Sequence, residues 1–385
     1  MKIAIICDDF PSEGRPTFVF VEQLVIELSR QGVDISVIAP QSLTRHLIRH
    51  VPLLPKVSVI NSENYTYRVY RPYSISLGNV PGWVNGILSV LNYKRMENCL
   101  NKEKVGLDAI YGHFWHSAYS VRKFAYKHNL PLFVACGEGD NAIEYLVNRI
   151  SHSEKEKFSK YVKGVISVSS ENKRRSIQNG LAQENDIIVL PNSVDTSIFV
   201  KDNNIDIRKE LGVKPDDFLI AFTGAFIHRK GSARLSAAID KLNNPRVKSL
   251  FIGAPLDGDD ATPTCNGIVH MGKIEHSLLP QYLYAADVFC LPTLNEGCSN
   301  AIVEALACGL PVISSNLPFN EDILDESNSI LVDPLSADEI SSALRTLIDS
   351  KEYRKKLSEG ANAKARYLTI NQRAGKIIDF IKSRL

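Results

Sequence analysis

The stretch NEGCSNAIVEALACGLPVIS, residues 295–314, reads as loop, helix and strand in succession. Ser299 is an N-cap residue type, residues 300–308 have helix-compatible composition, and Gly309 followed by Pro311 stops the helix before the apolar run PVIS. Residues 288–291 form another apolar run just upstream, so the local order is strand, loop, helix, strand. Working outward, FLIAFTGA (218–225) and KSLFIGAP (248–255) read as strands, with helices from about Gly231 and over 276–286. Nearer the N-terminus, residues 2–7 form a strand, PSEGRP a loop, 17–31 a helix ended by Gly32, and VDISVIA the next strand. The cycle repeats with strands at 108–111, 131–135, 165–168 and 187–190 and helices at 117–128 and 171–179. Such alternation predicts parallel sheets with helices on both faces.

A polar stretch, KDNNIDIRKE, follows PNSVDTSIF (191–199) and separates the two series. With 385 residues, the chain also exceeds the roughly 250–300 at which one core stops growing. The expected fold is therefore α/β, with two Rossmann-like, doubly wound domains at 1–195 and 196–370 facing across a cleft. Residues 336–349, 351–366 and 371–384 read as helices, and a final helix of about 371–385 is expected to pack back on the first domain. Ligands of such sheets bind outside the carboxyl ends of the strands.

Composition is ordinary globular, 44% hydrophobic and 23% charged, and a net charge of +2 gives no global field for nucleic acid. The seven cysteines are widely spaced, without a CxxC pair or a His/Cys ligand cluster, as expected of reduced and mostly buried thiols. MKIAIICDDF lacks the basic start and longer apolar region of a signal peptide, and no run reaches the about 18 apolar residues of a membrane span. A cytoplasmic protein is expected.

The opening stretch carries two carboxylates, Glu296 in the loop and Glu304 within the helix. By spacing alone they read equally well as solvated surface acids. The backbone amides of residues 298–301, at the positive end of that helix, suit an anion and most naturally a phosphate. A second loop, GAFIHRKG (224–231), also leads from a strand into a helix and carries Arg229 and Lys230. It reads either as an exposed basic loop or, with the first, as a clamp for one diphosphate.

These residues resemble a known family. Glu296 through Glu304, with the trailing ACGLPVI, resembles the E-x7-E signature of the retaining, nucleotide-sugar-dependent glycosyltransferases of family 4, which have the GT-B fold. GAFIHRKG resembles that family's phosphate loop, PNSVDTSIF its P-N-G-V-D segment, DAIYGH (108–113) its D-x-I-x-x-H segment, and YLYAADVFCLPT (282–293) the strand before the E-x7-E loop. The resemblance implies that Lys230, Arg229 and the helix start at Gly297, Cys298, Ser299 and Asn300 stabilise the leaving nucleoside diphosphate. It implies further that Glu304 holds ribose hydroxyls, that Glu296 orients the donor sugar, and that His113 contacts the sugar or the developing charge. Gly224, Gly272, Lys273 and Ile274 belong to the same donor-binding set. Lys230, Glu296 and His113 are the catalytic candidates. In the first domain, Gly14 and Thr17 of the loop at 10–18, and Glu138 and Asp140 of GEGDN, are candidates for acceptor or phosphate contacts; a plain connecting loop and surface acids are the other readings.

The implied reaction transfers a hexose or N-acetylhexosamine from a nucleoside-diphosphate sugar, UDP-linked by expectation, to a glycan or lipid-linked glycan. Surface polysaccharide, lipopolysaccharide or capsule biosynthesis is the implied setting. No cofactor or metal is obligatory; DGDD (257–260) reads as a solvated loop. One departure stands out: where the family usually has Arg after the loop glycine, this chain has Ala225, which raises whether Arg229 takes over. A sugar-nucleotide epimerase of the same fold, a phosphorylase, for which no pyridoxal-phosphate lysine site is identified, and a non-catalytic glycan- or partner-binding subunit are the alternatives.

Residues 41–104 hold nine Lys/Arg against three Glu. Within them, residues 81–104 read as a helix with Trp83, Ile87, Leu88 and Leu91 on an apolar side and Lys94, Arg95, Lys102 and Lys104 near its end. It either rests on an anionic membrane surface, making the protein peripheral on the inner face of the cell membrane, or packs on the sheet with a solvated basic end.

Overall fold

A computed structural model describes residues 1–12, 17–77, 82–139 and 141–385. The chain divides into two compact units: unit 1 comprises Met1–Val168, Asn172–Leu190 and Arg373–Leu385, and unit 2 comprises Ser169–Glu171 and Pro191–Gln372.

Unit 1 opens with β1 (Lys2–Ile6), α1 (Val19–Arg30), β2 (Asp34–Ile38), β3 (Gln41–Ser42), α2 (Leu43–Arg49), β4 (Val57–Ser62), β5 (Tyr65–Tyr70) and β6 (Tyr73–Ser74). It continues through α3 (Gly82–Glu103), β7 (Ala109–His113), α4 (Trp115–His128), β8 (Leu132–Cys136), α5 (Ala142–Val147), α6 (His152–Tyr161), β9 (Val162–Ser167), α7 (Ser170–Gln178) and β10 (Ile187–Val189). Among the described residues the main sheet has the order β10-β9-β8-β7-β1-β2-β5-β4. Every pairing in it is parallel except β4 with β5. That antiparallel hairpin, VSVINS and YTYRVY joined at Glu63-Asn64, is absent from the sequence expectation. Its signal was the period-two alternation of Val57, Val59, Tyr65, Tyr67 and Val69.

Each face of this sheet carries its own core. On one, Leu24 and Val25 of α1 pack with Ile3, Ile35 and the C-terminal residues Ala374, Ile377 and Ile381. On the other, Met96 and Leu100 of α3 and Val121 and Phe124 of α4 pack with Ala4, Ile110 and Val134. β1 lies between β2 and β7, so the chain reverses its direction of travel across the sheet there. The carboxyl ends of β1 and β7 mark the crevice where such sheets bind ligands.

Unit 2 contains α8 (Ile207–Glu210), β11 (Phe218–Thr223), α9 (Ser232–Leu242), β12 (Val247–Ile252), β13 (Ile268–Gly272), α10 (Leu279–Ala285) and β14 (Val288–Leu291). It closes with α11 (Asn300–Ala307), β15 (Val312–Ser315), β16 (Ser329–Val332), α12 (Ala337–Asp349), α13 (Lys351–Ala365) and the start of α14 (Ile370–Lys382). Its sheet, β13-β12-β11-β14-β15-β16, is parallel throughout. The strands β13 and β16 are further elements that the sequence expectation omits. Ser336 caps α12: its Oγ accepts the Glu339 N–H, and the Glu339 carboxylate reaches back to accept the Asp333 N–H in the preceding loop. The reversal point falls between β11 and β14, so their two carboxyl-end loops, 224–231 and 292–299, are brought side by side.

All seven cysteines are free, Cys99 half-buried and the others buried. No helix among the described residues is long and apolar enough to cross a membrane.

Candidate active site

In unit 2 the two loops are bonded to each other. The Leu294 N–H donates to the Arg229 carbonyl at 2.8 Å, and Arg234 on α9 donates to the carbonyls of Pro292 at 2.9 Å and His228 at 2.7 Å. Lys230 ends a short 3-10 turn, His228–Lys230, and Gly231 turns the chain into α9 with φ +81°. A Cβ at Gly231 would lie 2.5 Å from the Pro292 carbonyl oxygen, closer than backbone permits. Gly231→Ala is therefore expected to combine a left-handed backbone penalty with this clash and cost unit 2 about 2 kcal/mol or more, read as a lower urea midpoint. An unchanged midpoint would mean the loops are not packed in this way.

This packing delivers three of the anticipated residues to one point. The Glu296 carboxylate accepts hydrogen bonds from Lys230 Nζ, from Arg229 at 3.3 Å and from Thr293 Oγ1 at 3.0 Å. Arg229 also donates to the Asn295 carbonyl at 2.6 Å. Glu296 and Lys230 are both largely shielded from solvent, which strengthens their attraction and makes loss of either partner costly. Ala225 stands half-buried in the same loop, so its two cations, Arg229 and Lys230, lie together at the loop's far end, against Glu296.

Gly297, Cys298 and Ser299 are buried at the entry to α11, and Asn300 is half-buried. The Cys298 carbonyl accepts a hydrogen bond from Asn192 Nδ2 at 2.9 Å, which gives the PNS segment a physical task, holding the glutamate loop. Ser299 occupies the N-cap position but does not cap the helix with its side chain: its Oγ is buried without a hydrogen-bond partner among the described residues. The first-turn amides of α11 have no acceptor within the helix. An unpartnered hydroxyl beside free helix-start amides suits an anion's oxygens. On the next turn Glu304 lies 3.4 Å from His276 Nε2, and this hydrogen bond raises the His276 pKa above its ordinary value. Gly272 closes β13, where its carbonyl accepts the Gly253 N–H at 2.9 Å; Lys273 is exposed and Ile274 half-buried on the way to His276.

In unit 1, His113 ends β7 and is buried among Phe114, Phe20 and Tyr111, at ring-centre distances of 4.7, 5.5 and 6.4 Å. Burial, reinforced by the positive charge of Arg373, pushes its pKa down to about 3, so the ring is neutral, and Nδ1 lacks a hydrogen-bond partner among the described residues. A Cβ at Gly112 would lie 2.4 Å from that of Ala118, so glycine is required before His113 for α4 to close on β7.

Glu138 differs from expectation. It is buried, not a surface acid: its carboxylate accepts the Trp115 N–H at 2.5 Å and the Gly137 N–H at 3.0 Å and anchors the start of α4. Burial raises its pKa to about 6, against the opposing pull of these amides. Thr17 is half-buried, and its Oγ1 has no hydrogen-bond partner among the described residues. Gly14 and Asp140 lie outside the described residues.

Sequence reasoning passed over Thr293, Arg234, His276 and the specific role of Asn192. Thr293 is the last residue of the quoted segment 282–293 and Arg234 lies just beyond the quoted loop 224–231, a positional signal that residue type alone did not carry. His276 had no signal beyond lying three residues from Lys273.

The family model for "Glycosyl transferases group 1" matches residues 203–364, and that for "Glycosyltransferase Family 4" matches residues 18–198. A Bacillus subtilis protein named as a teichuronic acid biosynthesis glycosyltransferase is 27% identical over 359 residues, covering 89% of this chain and 88% of the relative. An Escherichia coli protein, UDP-Gal:alpha-D-GlcNAc-diphosphoundecaprenol alpha-1,3-galactosyltransferase, is 28% identical over 222 residues, 51% of this chain and 56% of that relative. Among solved structures, Anabaena HepE in complex with UDP covers 100% of both chains with a TM-score of 0.73 and 17% identity, a likeness of fold.

Proposed function

Because the chain belongs to the group 1 glycosyltransferases of GT-B fold, acting in glycan or polysaccharide biosynthesis, we propose that unit 2 holds a UDP-sugar and that the enzyme transfers its hexose or N-acetylhexosamine with retention. The observation that carries the donor site is the meeting of Lys230, Arg229 and Glu296 beside the α11 start, with Ser299 Oγ unpartnered there. Lys230, Arg229 and the α11 amides neutralise the diphosphate, with no obligatory metal. Glu296, bonded to both cations before the donor arrives, exchanges part of that contact for sugar hydroxyls, while Glu304 leaves His276 for the ribose.

In the step itself the bond from the anomeric carbon to the diphosphate oxygen breaks, and the acceptor oxygen bonds to that carbon from the same face. The acceptor proton passes to the departing diphosphate, and UDP leaves.

The acceptor is a glycan or lipid-linked glycan of a surface polysaccharide, with the enzyme resting on the inner face of the cell membrane. The N-terminal half of α3 supports this placement: Trp83, Ile87 and Leu91 are exposed, while Met96 and Leu100 further along are buried in the core. Bound at a hundredfold excess over Kd, UDP should raise the melting temperature by about 5–10 °C, more than GDP, ADP or dTDP. No shift with any of the four would remove the donor-site reading and favour a non-catalytic binding subunit.

A further inference from the structure

Resting on the donor-site reading of unit 2, we infer that His276 is a positioning residue acting through Glu304: imidazole and nucleotide compete for one carboxylate, so that nucleotide affinity falls in acid. His276 lies in the loop between β13 and α10, and Glu304 on α11. They meet at 3.4 Å, from Nε2 to Oε1. Among the described residues, each is the only hydrogen-bonding partner of the other's side chain.

That exclusivity carries the argument. The Glu304 side chain is only 17% exposed, yet its Oε2 has no partner among the described residues. A carboxylate has about four lone-pair sites, so this one keeps most of its accepting capacity unused. Two adjacent hydroxyls of a ribose engage both oxygens and displace the imidazole from Oε1. His276 is built to give way. Phe199 meets its ring edge-on at 5.9 Å between centres, and Phe199 is buried with its carbonyl accepting the Tyr284 hydroxyl at 3.2 Å. The imidazole therefore has one fixed wall, while 39% of the side chain faces solvent.

The surroundings leave the titration to His276. Lys273 and Glu275 flank it along the loop and are exposed. On α10, burial raises the Tyr284 pKa, and on α11, burial and the charge of Glu304 push the Cys308 thiol far up. In the empty site the hydrogen bond to Glu304 raises the His276 pKa above its ordinary value. A nucleotide that takes the carboxylate removes this support, and the pKa falls back. Binding then expels a proton, so affinity weakens as pH falls through the titration of His276 and is greatest above it, where the ring is neutral.

Calorimetric titration of UDP into wild type, His276→Gln, Glu304→Gln and the double variant, at about pH 8 and about pH 5.5, tests this on either side of the histidine range. Titration of UDP itself is common to all four proteins. Between the two pH values wild type should lose about threefold more affinity than His276→Gln, which keeps a hydrogen-bond donor without the titrating ring. In the Glu304→Gln background the exchange of His276 should leave the pH profile unchanged, because its effect passes through Glu304. Equal profiles in wild type and His276→Gln, or a difference that persists in the Glu304→Gln background, would overturn the assignment. Wild-type binding at the higher pH reports on the donor site by itself. Its absence would remove the donor reading and this inference together, whereas binding with equal profiles removes the role of His276 alone.

Discussion

Lys230→Ala is expected to cut sugar transfer by about two to three orders of magnitude and to weaken UDP binding as well, because it removes a cation placed where diphosphate charge develops. Glu296 would keep Arg229 and Thr293 as partners, so the fold should survive the change. Glu296→Ala should lose transfer to a similar extent with the opposite effect on the nucleotide. In the ligand-free site Glu296 competes with the diphosphate for Lys230 and Arg229, so its removal should leave UDP affinity unchanged or increased. Steady-state transfer and UDP titration on the two variants check this. Wild-type transfer rates in both would show that neither residue belongs to the active site.

The second large effect concerns acid stability. An unfolded histidine titrates near 6.5, whereas His113 in the fold titrates at about 3. Between those values the unfolded chain binds a proton that the native chain does not, so the native state is penalised as pH falls from 6.5 to about 3. The full contribution is retained above 6.5, and nothing more is lost below 3. Across the whole window the penalty reaches on the order of 4–5 kcal/mol, at about 1.36 kcal/mol per pH unit. His113→Phe keeps a ring in the aromatic box of Phe20, Tyr111 and Phe114 and removes the titration. Any overpacking cost of the larger ring is independent of pH. Comparing urea unfolding at about pH 7.5 and about pH 4.5, wild type should lose on the order of 2–3 kcal/mol more than the variant. Equal losses would mean that His113 is not held neutral by burial.

Much of the architecture was legible because parallel strands buried on both faces are near-continuous apolar runs, as IAII of β1 and VFCL of β14 are. The strands that were not legible lie at or next to sheet edges. β4 and β5 form a partly solvated hairpin with polar residues interleaved, and β13 carries His270 and Met271 on an edge strand. In the site, residue type and strand-end position singled out Lys230 and Glu296 separately. Their direct pairing, across 66 residues, follows from β11 and β14 being neighbours, which the order of elements along the chain does not state. The burial of Glu138 was hidden for the same reason. Its partner, the Trp115 amide, is 23 residues upstream and reaches the end of β8 only once β7 and β8 have paired. Ser299 shows a different limit: its residue type fits an N-cap, yet its hydroxyl is left without a partner.

The most direct test of the donor site is calorimetric titration of UDP into wild type, Lys230→Ala, Glu296→Ala and Glu304→Ala. The geometry predicts that wild type binds UDP, that Lys230→Ala and Glu304→Ala each weaken it about tenfold or more through lost charge-assisted contacts, and that Glu296→Ala does not weaken it. UDP binding with wild-type affinity in both Lys230→Ala and Glu304→Ala, or no binding by the wild type, would contradict the account.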